Sequence, residues 1–139
     1  MSLTFPVKNI PTIARAAAIG TCGQDLLNMG KDFVSEFCAH GEDTDVFVKK
    51  TINYWQTVKP DYNVCVLNNK WNHNVSIEDG MHMHIEVPKK GFGSHGFDVY
   101  VFKSGVITRH GDGGWINWGF AGKFQKKNDA TVEFFDPNV

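Results

Sequence analysis

Cysteine is scarce in this sequence, and so are charge of one sign, long apolar runs and repeated segments. Three cysteines stand among 139 residues, Cys22, Cys38 and Cys65, none in the C-x-x-C spacing of zinc and redox sites. Such an odd, sparse set excludes a disulfide framework and leaves reduced, buried thiols as the expected state. Neither half of the chain carries an excess charge: residues 1–60 hold six Lys/Arg against six Asp/Glu, and residues 61–139 hold eight against nine. A phosphate-binding face needs clustered cations, and the sequence offers no more than isolated pairs such as Lys89–Lys90 and Lys126–Lys127, so no nucleic-acid partner is expected. No apolar run approaches the ~20 residues of a membrane-spanning helix, which excludes a transmembrane segment of that kind. Pro6 and Lys8 precede an alanine-rich stretch without the charged-then-apolar order of a secretory leader, and a cytoplasmic site is the resulting expectation.

What is present is the make-up of one globular domain over residues 1–139, with 42% hydrophobic and 21% charged residues. Residues 11–18 open with a proline and continue through good helix formers, which predicts a short helix. Leu26, Leu27, Gly30, Phe33, Val34, Phe37 and Cys38 recur at three- and four-residue steps, with Gly41 placed to end an amphipathic helix. Thr44 can cap the next segment, where Phe47, Val48, Thr51, Ile52, Trp55 and Val58 make one stripe before Pro60, although its β-branched residues would also suit a strand.

From Tyr62 the period changes to two. Val64 and Val66, then Met81, Met83, Ile85 and Val87, then Phe97, Val99 and Val101 alternate with other side chains, and residues 115–124 and 130–135 continue the pattern. Short connections favour antiparallel neighbours. The expected fold is therefore α+β: N-terminal helices within residues 11–59 packed on a C-terminal antiparallel meander of five to six strands within 62–135, with no strand before residue 42. Helical Leu27, Phe33, Phe37, Ile52 and Trp55 should share one core with the inward strand residues, Trp118 and Phe120 among them.

Three segments carry the candidate chemistry. His82, His84 and Glu86 alternate on one strand face, and all three side chains can bind a divalent metal, with His110 or His95 from a neighbouring strand as a further ligand. The plainer reading, which the pattern favours, is a half-buried strand showing polar residues to solvent. Residues 91–96 spell G-x-G-x-x-G but precede a strand instead of opening a helix, so a turn is expected there rather than a nucleotide site. Residues 110–115 set three glycines around Asp112 and end at Trp115, whose parity is opposite that of Trp118 and Phe120.

No complete catalytic signature appears, since Cys65 has no local partner motif and the paired acids sit at element ends. The leading reading is a non-enzymatic module that binds a small molecule, a carbohydrate or a partner at glycine-rich loops at one end of the sheet. His110, Asp112, Trp115, Asn117 and His95 are its candidate ligand-binding residues, and no cofactor is required. One alternative is a metal-dependent enzyme using His82, His84, Glu86 and His110 to activate water or a small substrate. Another is a structural protein that acts through contacts with other chains, including a homo-oligomer.

Overall fold

Residues 10–70, 72–89, 91–110 and 118–139 are described by a computed structural model of the chain. Two helices, α1 (Gly23–Ala39) and α2 (Phe47–Val58), lie on an antiparallel sheet of seven strands: β1 (Thr12–Ile19), β2 (Asn63–Asn68), β3 (Asn74–Pro88), β4 (Ser94–Thr108), β5 (Trp118–Ala121), β6 (Phe124–Lys126) and β7 (Thr131–Phe134). The main strand order is β1-β3-β4-β2-β5, with β7 paired to the far half of β4 and β6 paired to β7. The α+β class and the antiparallel pairing agree with the periodicity, and the described residues hold seven strands, one more than the upper expected count of six. No helix among the described residues is long and apolar enough to cross a membrane.

Both helices follow from their apolar spacing. The buried side of α1 is formed by Leu26, Leu27, Gly30, Val34, Phe37 and Cys38, and it ends where Gly41 takes a φ of 65°. A single 3-10 turn (Thr44–Val46) leads into α2; Asp43, not Thr44, caps it, its carboxylate accepting from the Asp45 amide at 3.0 Å.

Residues 11–18 are not helical. They form β1, antiparallel to β3, which puts a strand before residue 42 and confines the helices to residues 23–58. The alanine preference is worth only tenths of a kcal/mol per residue, and an isolated eight-residue helix is marginal in water. This segment offers no apolar stripe that packing could reward, since residues 12–18 are all exposed. Pairing with β3 instead satisfies its backbone groups along one edge.

The sheet also has two cores where one was expected. Met81, Met83, Ile85 and Val87 of β3, with Phe97, Val99 and Val101 of β4, meet the helices around Phe47 and Trp55. On the other face Cys65, Leu67, Phe102, Ile107, Trp118 and Phe134 form a second cluster, with Phe120 half-buried against it. Trp118 and Phe120 pair with Leu67 and Cys65, so they lie across the sheet from Trp55. The second cluster exists because β3 and β4 bend midway. Asp79 has a φ of 46° and Gly105 a φ of 154°, and a Cβ on Gly105 would stand 2.2 Å from the Ser76 carbonyl oxygen. Past the bend, Val75 and Ile77, of the same parity as Met81, face the second cluster instead of the helices.

Candidate functional site

The polar stretch of the second face lies beside this cluster, where β1, β3 and β4 run together. Strand β3 turns His82, His84 and Glu86 away from the helices, and β4 brings Asp98 opposite His84 and Tyr100 opposite His82. A bulge in β1 adds a charge: Ile13 pairs with Ile85, the register then shifts, and Arg15 pairs with His84. Were Ala14 paired regularly with His84 instead of bulged, Arg15 would oppose Met83 on the helix side. Asn69, Asn72 and His73, from the loop after β2, complete a cleft of about 180 Å³ with Arg15, the two histidines, Asp98 and Tyr100.

Asp98 organises this cleft. One of its oxygens, Oδ1, accepts from His82 Nε2 at 2.7 Å and from His84 Nδ1 at 3.0 Å, and its side chain is only 12% exposed. Burial alone would push this carboxyl up, but the hydrogen bonds from His82 and His84, together with the positive charge that imidazoles carry in acid, outweigh it and hold the pKa below its ordinary value of 3.8. Because an ionised carboxylate only accepts, each facing ring nitrogen carries its proton. The other nitrogen of His84, Nε2, accepts from Asn69 Nδ2 at 3.0 Å, and the same amide donates to Glu86 Oε2 at 3.3 Å. The Glu86 carboxylate, which only accepts, turns the NH2 group of Asn69 toward this side of the cleft and so toward His84 Nε2. The His82 ring is stacked on Tyr100 at 4.4 Å and 6°. Burial first, and then Asp98, push the Tyr100 hydroxyl upward, so it stays protonated. His73 donates from Nε2 to the Asn68 carbonyl at 2.9 Å and accepts the His110 amide at Nδ1 at 3.2 Å.

Of the residues singled out in the sequence, His82 and His84 are brought side by side. Glu86 lies next along the strand, held by Asn69 and by the Ser94 hydroxyl at 3.0 Å. His110 joins through its backbone amide, and its side chain is exposed. His95 is on the helix face, its Nε2 paired with Asn68 Nδ2 at 2.8 Å and its ring 4.4 Å from Phe97. Burial and then Lys89 lower its pKa. Asp112, Trp115 and Asn117 lie outside the described residues. Among the described residues, no three His, Cys, Asp or Glu side chains are grouped so that they could hold a metal ion. The nitrogens that His82 and His84 turn toward each other are both donors to Asp98.

Asp98, Arg15, Asn69 and Tyr100 were not singled out in the sequence. A signal for Asp98 was present, a lone acid inside the apolar run Phe97–Phe102; Arg15 had none, because its orientation depends on the bulge. A larger hollow of about 520 Å³ lies at Arg109, Trp118, Phe120, Phe124, Lys126 and Asp129. It has an aromatic floor, whereas the fixed polar network belongs to the smaller cleft. The thiols divide as well: Cys38 and Cys65 are buried, burial pushing Cys38 to about 11 and Cys65 further, while Cys22 is exposed, contrary to the expected burial.

The chain is similar to a stress response protein, YvgO of Bacillus subtilis (strain 168). The two are 27% identical over 135 residues, 91% of this chain and 81% of the relative. No protein-family signature matches the chain, and no solved structure matches it.

Proposed function

We propose that the chain is a small-ligand-binding module whose site is the cleft above Asp98. The observation that carries this reading is the fixing of two imidazole rings by a single buried carboxylate oxygen beside Arg15. Binding sites hold few polar groups but hold them rigidly, and here ring stacking, a shared acceptor and the Asn69 amide do so before any ligand arrives. Arg15 brings a permanent cation to the rim, which suits a small molecule bearing a carboxylate or similar anion. The amide of His110, where the glycine-rich segment of the sequence begins, is bound to His73 of the same cleft. By its relation to YvgO we place this binding in a stress response.

A thermal-shift screen of small carboxylates, sugars and phosphate, followed by calorimetry, tests the reading. A binding compound should lose most of its affinity in Arg15→Ala, while this exposed substitution leaves stability within about 0.5 kcal/mol of the parent. If nothing shifts the parent protein, or if every hit binds Arg15→Ala equally well, the cleft is not the site.

A further inference from the structure

Resting on the reading of this cleft as a small-ligand site, we propose that His82, positioned by Asp98, removes a proton from carbon beside the carbonyl of a small 2-oxo acid. The geometry separates the two histidines. His82 donates a hydrogen bond from Nε2 to Asp98, so in the neutral ring the lone pair is on Nδ1, for which no partner exists among the described residues, and the side chain is 22% exposed. His84 has its remaining lone pair occupied by Asn69 and cannot act in the same way. Asp98 is a positioning residue: it selects the His82 tautomer and stabilises the imidazolium that forms, as a buried carboxylate does for any histidine base. Tyr100, stacked on the ring, fixes the plane in which the lone pair lies.

The rest of the cleft narrows the reaction class. No Ser, Thr or Cys lines it among the described residues, and the one hydroxyl among the described lining residues, that of Tyr100, is kept protonated by burial and by Asp98. Its size suits a compound of few atoms, and Arg15 supplies positive charge for a carboxylate and a developing enolate. In the step, the C–H bond beside the carbonyl breaks and the proton goes to His82 Nδ1. The electron pair forms the C=C bond, and the carbonyl pair moves onto oxygen. Return of a proton from Nδ1 to carbon closes the cycle, with no oxidant, reductant or second substrate.

Pyruvate, 2-oxobutyrate and 2-oxoglutarate in D2O serve as probes, with deuterium entry at C3 followed by proton NMR and binding measured in parallel by calorimetry. The expected result is protein-dependent exchange of at least one probe, lowered about 100-fold or more in His82→Gln. Asp98→Asn should lower it at least about tenfold while binding changes by less than about threefold, because the tautomer and not the pocket is altered. Nitrogen NMR of the unmodified protein gives a check that no substitution can confuse: His82 must show a protonated Nε2 and an unprotonated Nδ1. Binding without exchange, exchange unchanged in His82→Gln, or a proton on Nδ1 overturns the proton-transfer inference and leaves the binding reading standing. If none of the three probes binds or exchanges, the inference fails; if the broader ligand screen is also empty, the binding reading fails with it.

Discussion

At the scale of single residues, Asp98 joins stability to the site. Its folded-state pKa is depressed, so in acid the unfolded chain binds more protons at this position than the folded one. The stabilisation is therefore fully present above the ordinary aspartate value of 3.8 and is lost as pH falls through the lower folded value. Asp98→Asn keeps an acceptor for one ring but has no proton to gain. Its deficit relative to the parent, measured by urea unfolding, should be constant above about pH 5 and shrink at lower pH. A deficit that does not change with pH would mean that the two imidazoles do not favour the ionised carboxylate.

At the scale of elements, the bent hairpin of β3 and β4 depends on a side chain that belongs to neither strand. Asn63, fully buried at the start of β2, donates to the Lys103 and Phe135 carbonyls at 2.8 and 2.9 Å and accepts the Lys123 amide at 2.8 Å. It ties the bend in β4 to the connection after β5 and to the end of β7. Asn63→Ala would leave three backbone groups without their partner, at a cost of about 1–3 kcal/mol for each that water cannot reach. We expect loss of at least about 2 kcal/mol in chemical denaturation, with faster amide exchange in β7 than in the parent. Unchanged exchange in β7 would show that the strand is held by its ladder alone.

For the whole molecule, the two clusters on opposite sheet faces share the strands between them, β2 and β4 above all. Alternate residues of β2 belong to different clusters, Val64 and Val66 to the helix side and Cys65 and Leu67 to the other. Damage to one side should therefore be felt by both, in a single unfolding transition. Phe134, on the last strand and far in sequence from the helices, is 2% exposed. Truncation to alanine should cost about 3–5 kcal/mol, as for a buried ring in any core. Far-ultraviolet circular dichroism, which follows the helices, and tryptophan fluorescence should shift together. Loss of the fluorescence transition alone, with the helices unaffected, would mean that the second cluster is an independent layer.

The periodicity of the sequence determined the two main helices, the antiparallel strands from residue 63 onward and the alternation that puts His82, His84 and Glu86 on one face. These are local properties, set by the 3.6- and two-residue repeats of apolar side chains. Residues 11–18 show where that ends: alanine propensity is a weak local term, and only the unfilled edge of β3 made the segment a strand. The second core was hidden for a related reason. Trp118 and Phe120 read as apolar in either case, and nothing along the chain says which sheet face they join once β3 and β4 bend at Asp79 and Gly105. Tertiary structure likewise decided the site. Asp98 meets His82 and His84 across 16 and 14 residues of chain, and Arg15 reaches them by one bulged residue in a strand that pairs some 70 positions away. A periodic pattern shows which way a side chain points, but its partners follow from strand register, and register depends on pairing across the whole fold.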